Sequence, residues 1–400
     1  MRVGIPKEII SDERRIAAVA DTVARMVKGG MEVVVETGAG EGSFISDDDF
    51  VKVGAKILAT AEEVFSTSDV ILKVQKPFMN AGAKKHEVDM MREGAILITF
   101  LQAAANLDVV TKLVQRKITT FAMEAVPRIS RAQMMDALSS MATLAGYKAV
   151  IMGADNLKKI IPMLTTAAGT IHPAKVLIIG AGVAGLQAIA TAKRLGSLVT
   201  AFDTRPAVGE QIKSLGGEFV PLEVDHSSAE DAGGYAKEMS SEFYKQEQDI
   251  IRKYSKDADI IISTALVPGK PAPTLITEEM VKEMKAGYVI VDLSVEQGGN
   301  CTLTEFNKIV VKHNVTVIGT VNLPGKLPVH ASQLYARNML NILNLLAPDK
   351  KEIKLDMEDE IIKGAMITHN AEVTNKNVKE ALTKANISYP STGGESRSHW

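Results

Sequence analysis

Cysteine is almost missing from this sequence: Cys301 is the single one among 400 residues. One thiol builds neither an internal disulfide framework nor a cysteine-based zinc site, and it suits a reducing compartment. An excess of either charge is lacking as well, since 46 basic and 48 acidic side chains leave a formal net charge of −2. Without a single-sign field, neither nucleic acid nor an anionic membrane surface is an expected partner. Long apolar runs are also lacking. The longest, residues 176–192, is broken by Gly180, Gly182 and Gly185 and ends in Lys193-Arg194, short of the roughly 20 apolar residues a membrane-spanning helix needs. The opening Met1-Arg2-Val3-Gly4-Ile5-Pro6-Lys7-Glu8 reaches lysine and glutamate before any signal-type apolar core, so no secretory signal is expected. The seven histidines, His86, His172, His226, His313, His330, His369 and His399, show no helical or short metal-ligand spacing, so no metal site is expected.

What is present is apolar residue in quantity, 46% of the chain, which over this length supports two cores rather than one. Short β-rich runs at 2–5, 32–36, 69–74, 95–100 and 119–123 alternate with amphipathic stretches, the rhythm of parallel strands with crossover helices. A second series follows at 175–179, 198–203, 259–264, 288–293 and 316–321. Helix-forming segments at 130–159 and 331–346 flank this second series, the latter preceded by Pro324, Gly325 and Pro328. The expectation is an α/β chain with two Rossmann-like, doubly wound parallel-sheet domains, separated by a cleft and joined by two helices. The first domain is discontinuous, 1–140 with 327–382, and ends in a strand-like run at 361–368. The second spans 141–326. Residues 383–400, rich in Ser and Gly near the end, read as a flexible tail or linker.

Gly180-Ala181-Gly182-Val183-Ala184-Gly185 follows the apolar run 175–179 and opens a good helix. That strand-turn-helix context is what a dinucleotide-binding turn requires. Gly180 allows the tight turn, Gly182 lets the backbone approach a pyrophosphate, and Gly185 permits close helix-to-strand packing. Eighteen residues past Gly185, after the next strand, stands Asp203. A carboxylate there accepts from both ribose hydroxyls and repels a 2′-phosphate, which favours NAD(H) over NADP(H). Arg205 is ambiguous, suited either to a 2′-phosphate or to lying over an adenine ring.

A polar stripe lies at 128–139. Ser130 and Gln133 have the spacing of a capping box, which would start a helix at this point, and Gln133, Asp136 and Ser139 would then share one face near Arg128. Two readings stay open on spacing alone: a capped, solvated helix start, or side chains that hydrogen-bond the carboxamide and ribose of a nicotinamide.

These residues carry a resemblance. Residues 127–133 and 136–140, Leu144-Ala145-Gly146-Tyr147, the glycine turn, Gly233-Gly234-Tyr235-Ala236-Lys237-Glu238-Met239, residues 264–273 and 296–301 resemble the NAD(H)-binding component, domain I, of Si-specific proton-translocating nicotinamide nucleotide transhydrogenase. The resemblance runs from residue 1 to about 380. It implies a homodimer, with hydride passing from NADH to NADP⁺ held on a separate NADP(H)-binding domain. It further implies a membrane-spanning proton-channel domain as partner, and peripheral attachment on the cytoplasmic or matrix side of an energy-transducing membrane. Carried over residue by residue, it puts Arg128, Gln133, Asp136, Ser139 and Tyr235 in catalytic roles. For holding NAD(H) it implies Arg128, Ile129, Ser130, Arg131, Gln133, Gly180, Gly182, Val183, Gly185, Asp203, Thr204, Arg205, Gly234 and Leu266. The long polar segment 225–248 resembles a loop that closes over the nucleotide.

Alanine dehydrogenase is a related family that shares the Gly-Ile-Pro-x-Glu start, and a soluble amino-acid dehydrogenase is the rival reading. Reductive amination needs a cation to grip the substrate carboxylate and a group that moves protons at the carbonyl. Arg15 matches the family's arginine, but the positions of its lysine, histidine and aspartate read Gln75, Gln102 and Glu296. Hydride exchange between two nicotinamides needs no proton transfer at the reacting carbons, so a site without a base is what that reaction calls for. A third reading is a non-catalytic NAD-binding module.

Overall fold

The computed structural model describes residues 1–221, 241–267 and 270–387. It divides into two units, Met1–Met141 with the chain from Gly325 onward, and Ala142–Pro324.

The first unit is built on an eight-stranded sheet. Its parallel strands are Lys56–Leu58, Glu32–Glu36, Arg2–Ile5, Val70–Leu72, Ile96–Thr99 and Thr119–Ala122, in that spatial order. The central ones are buried along nearly their whole length because helices cover both faces, which is why they read as unbroken apolar runs rather than alternating ones. Met366–His369 then pairs antiparallel to Thr119–Ala122, and Glu372–Val373 closes that edge. The expected strand at 361–368 is therefore half helix. Asp359 accepts hydrogen bonds from the N–H groups of Ile361 and Ile362 and starts the helix Glu360–Ala365, and only Met366 onward is extended. The helix Pro328–Leu346 is tied down by buried polar contacts: the Tyr335 hydroxyl donates to the Lys73 carbonyl, and the Ile16 N–H donates to Ser332 Oγ.

The second unit holds a seven-stranded sheet in the order Glu218–Val220, Leu198–Phe202, Lys175–Ile179, Ile260–Ser263, Val289–Asp292, Val315–Ile318, Ile309–Lys312. All neighbours are parallel except the last pair. The chain winds outward from Lys175–Ile179 to one edge, then returns to continue on its other side. That reversal makes a switch point at the carboxyl ends of Lys175–Ile179 and Ile260–Ser263, where open α/β sheets bind ligands. The first sheet reverses in the same way beside Arg2–Ile5.

Both sheets are dominated by parallel pairs, as expected, with antiparallel pairing confined to one edge of each. Two expectations need correction here. The helix Ala137–Asn156 carries the first crossing between units, but the second falls in the 3-10 turn Leu323–Lys326, so two helical connections are not what the chain makes. The helix Lys376–Lys384 runs past 383, so a tail starting there cuts its last turn.

Candidate functional site

The glycine turn stands at the switch point of the second sheet. Gly180 has φ +91°, a left-handed conformation that glycine adopts at little cost, and its carbonyl accepts from Thr264 Oγ1 at 2.9 Å. Gly185 begins the packing of the helix Val183–Arg194 onto that turn: a Cβ added there would stand 1.9 Å from the Gly180 carbonyl oxygen. Gly182, by contrast, would place a Cβ with nothing within 4 Å. Its backbone is open to an approaching ligand. The first N–H groups of a helix have no partner within it. Here they belong to Val183, Ala184 and Gly185, and they make this opening an anion cradle that fits a pyrophosphate. Gly146 has its own reason, since a Cβ there would lie 2.1 Å from the Ala184 carbonyl oxygen. Only glycine lets the helix Ala137–Asn156 come so close to the start of Val183–Arg194.

Asp203, 6% exposed, ends the strand Leu198–Phe202 beside this cradle. Its Oδ2 accepts from the Ala181 N–H at 2.7 Å and from Arg205 Nη2 at 2.8 Å, and its Oδ1 accepts from Arg205 N at 2.8 Å and Nε at 2.9 Å. The carboxylate thus fixes the turn and holds Arg205 at once. Thr204 is half-buried between them in sequence, and Val183 and Leu266 are exposed.

Glu247 was not singled out by the sequence. It sits on the helix Ser241–Ser255 in register with buried Phe243 and Ile251, four residues away on either side, so its carboxyl enters the apolar stripe and is 4% exposed. Burial, and after it the charge of Asp203, pushes Glu247 up to about 8. The helix also corrects the expected irregular segment at 225–248, whose part from 241 onward is helical. The remainder of that segment, with Gly234 and Tyr235, lies outside the described residues.

Asn300, fully buried, steadies the chain after Ile260–Ser263. Its Nδ2 donates to the carbonyls of Ala265 and Pro273, and its Oδ1 accepts the Ala265 N–H. Asp292 organises this support by accepting from the N–H groups of Ser294, Asn300 and Cys301 and from the hydroxyls of Ser263 and Thr304. Gly298-Gly299-Asn300 marked the segment in the sequence, but nothing there showed that Asn300 braces the stem of Leu266.

The polar stripe has a different local structure from the one expected. Ser130–Met135 is a 3-10 turn with no side-chain cap, and the α-helix begins only at Ala137. Asp136 is the residue that caps it: its Oδ1 accepts the Ser139 N–H at 2.8 Å and its Oδ2 the Ser139 hydroxyl at 2.6 Å. The capping box at Ser130 does not form, and the carboxylate of Asp136, just before Ala137, caps the α-helix instead. Gln133, Asp136 and Ser139 therefore do not lie on one helical face, although Asp136 and Ser139 are brought into contact. Arg128, Ser130, Arg131 and Gln133 are exposed, Ile129 is half-buried, and Arg131 pairs with Asp359 at 2.7 Å.

At the switch point of the first sheet the side chains are charged but mutually satisfied. Lys73, with no exposed surface, lies 3.2 Å from both Glu8 and Glu87. Burial pushes Glu8 up to about 7 against the pull of Lys73. Arg15 is bidentate to Glu13, and Gln75 Nε2 donates to the same carboxylate at 2.7 Å. Gln102 is exposed, in a left-handed conformation with φ +48°, and its N–H donates to Glu124. Glu296 accepts from the Asn322 N–H. Neither Gln75 nor Gln102 titrates, so neither moves a proton. Among the described residues no group of three His, Cys, Asp or Glu is placed to hold a metal ion, and no helix is long and apolar enough to cross a membrane.

Residues 4–145 match the family described as Alanine dehydrogenase/PNT, N-terminal domain, and residues 149–376 its C-terminal domain. The chain is 50% identical over 377 residues to an NAD(P) transhydrogenase subunit alpha polypeptide of Rhodospirillum rubrum, covering 94% of this chain and 98% of that protein. It superposes on the crystal structure of a transhydrogenase from Sinorhizobium meliloti with a TM-score of 0.81 at 39% identity, covering 94% of this chain and 99% of that one. An L-alanine dehydrogenase structure superposes with a TM-score of 0.80 at 25% identity, covering 96% and 99%.

Proposed function

Because the chain belongs to the alanine dehydrogenase/PNT family, we propose that it is the NAD(H)-binding component of a proton-translocating transhydrogenase rather than an amino-acid dehydrogenase. The observation that carries this reading is a glycine turn opening onto a free helix N-terminus, in a chain whose Gln75 and Gln102 stand where reductive amination needs proton-moving groups. The 50% identity to a transhydrogenase subunit supports the same choice.

NADH, when bound, supplies the hydride; the chain's own residues bind and orient. The N–H groups at the start of Val183–Arg194 hold the pyrophosphate. Asp203 takes the adenosine ribose and excludes a 2′-phosphate by charge, which keeps NADP(H) for a partner domain. Arg128, Gln133 and Asp136 orient the nicotinamide, with Ser139 holding the Asp136 carboxylate by two hydrogen bonds. Ile129, Ser130, Arg131, Thr204 and Leu266 complete the binding set among the described residues. The working form is a homodimer with an NADP(H)-binding domain and a membrane-spanning proton channel as partners, on the cytoplasmic or matrix side of the membrane. Transfer is of the Si-specific type and depends on that partner.

The test is reconstitution. The purified chain is mixed with an NADP(H)-binding component of the same enzyme class, saturating NADH and an NADP⁺ analogue whose reduction is followed by absorbance. Hydride transfer that needs both proteins is expected; no transfer at saturating NADH would sink the proposal.

A further inference from the structure

Asp203 has no acceptor position to spare. A carboxylate offers about four lone-pair directions, and here each oxygen already takes two donors: Oδ1 from Arg205 N and Nε, Oδ2 from Ala181 N and Arg205 Nη2. Two of the four, Ala181 N and Arg205 N, are backbone groups that shape the turn itself. The other two come from one guanidinium, one on each oxygen, at 2.9 and 2.8 Å. A ribose with free 2′- and 3′-hydroxyls would present two donors to a carboxylate in this same one-per-oxygen pattern.

The surroundings reinforce the arrangement. Asp203 and Arg205 form an ion pair with side chains 5% and 13% exposed, so it is largely shielded from water. Glu247 is the other acid facing Asp203, and it has no hydrogen-bond partner among the described residues. Burial keeps Glu247 largely protonated at neutral pH, so it adds little negative charge beside the Asp203–Arg205 pair.

We infer that Arg205 is a built-in occupant of the adenosine-ribose subsite, holding on Asp203 the two acceptor positions that the ribose diol takes when a nucleotide binds. This rests on the reading of the turn as an NAD(H) site and deepens it. The guanidinium keeps the buried carboxylate neutralised in the free protein, where an unpaired charge is costly, and its release is subtracted from the affinity for NADH. Arg205 is thereby a competitor of the nucleotide at Asp203, not one of its anchors.

The test compares wild type with Arg205→Ala and Arg205→Lys, titrating NADH by its fluorescence and, separately, reduced nicotinamide mononucleotide, which lacks the adenosine ribose. Thermal unfolding checks each variant's fold. Removing the competitor is expected to tighten NADH by about three- to thirtyfold, the range of a hydrogen-bonded ion pair's net worth, with Arg205→Lys intermediate because a point charge cannot span both oxygens. The mononucleotide is expected to bind all three proteins alike. Unchanged or weaker NADH binding in a folded Arg205→Ala overturns the inference, as does equal tightening of the mononucleotide. Should the alanine variant not fold, Arg205→Lys decides by the same criteria. Wild type that binds no NADH at all would instead overturn the NAD(H) reading, so the two failures are told apart.

Discussion

Gly185 and Gly180 are in such close contact that a single methyl group on Gly185 would lie 1.9 Å from the Gly180 carbonyl oxygen. Backbone meets backbone here, with no flexible side chain to yield. Gly185→Ala is expected to displace the helix Val183–Arg194, lowering stability by about 1–3 kcal/mol as overpacked sites do, and to abolish NADH binding. Gly182→Ala meets nothing within 4 Å, so it is expected to leave thermal unfolding unchanged while still weakening NADH. Equal stability losses in the two variants would show that the openness at Gly182 has no functional meaning.

Asp203→Ala removes the ribose acceptor. NADH affinity is expected to fall by about tenfold or more, the scale for losing charged hydrogen bonds, while NADPH gains relative to NADH because the 2′-phosphate no longer meets a carboxylate. Fluorescence titration of both nucleotides measures this. A preference that does not move would remove Asp203 from the role of selector.

Glu247 ties stability to pH. Its carboxyl is raised from 4.5 to about 8 in the folded chain, so the folded state holds the proton more tightly than the unfolded one. The stability contributed is complete below the ordinary carboxylate range and is lost as pH rises through about 8. Between roughly pH 5 and 9 the wild-type Tm is therefore expected to fall more steeply than that of Glu247→Gln, which carries no such proton. Parallel Tm profiles would mean that the buried carboxyl is not protonated.

The rival chemistry gives a plain assay. With pyruvate, ammonium and NADH the chain is expected to show no turnover, because Gln75 and Gln102 exchange no protons and Arg15 is already paired with Glu13. Appreciable reductive amination would reverse the choice made between the two branches of the family.

Much of the fold was legible because its strands are buried on both faces. Val33-Val34-Val35, Val70-Ile71-Leu72 and Ile96-Leu97-Ile98 announce themselves as apolar, β-branched runs. The short edge strands Lys56–Leu58 and Ile309–Lys312 did not, since half-exposed residues give neither a clean run nor a core face. The glycine turn was readable because each glycine answers a backbone requirement that is local in sequence. Asp136 was harder: Ser130 and Asp136 both stand where a helix could start, and only the hydrogen bonds to Ser139 show that the α-helix begins after Asp136. The burial of Glu247 depends on distances across the fold, which spacing does not encode, while the pair of Asp203 with Arg205, only two residues apart, depends on backbone and rotamer geometry that residue identity alone leaves open.

The interruption of the first unit by the second sets an order of events during synthesis. Every strand of the second sheet has left the ribosome soon after Ile318 is added, so that unit can close on itself while the chain is still growing. Residues 1–141 cannot. Their sheet lacks Met366–His369 along Thr119–Ala122, and their core lacks the helix that brings the Tyr335 hydroxyl to Lys73. Domains generally fold as they emerge, N-terminal first; here the unit begun first is completed last. For the interval in which about two hundred further residues are added, an open strand edge at Thr119–Ala122 awaits its partner. The nascent chain is most vulnerable to mispairing at that edge, and chaperone protection is most useful there.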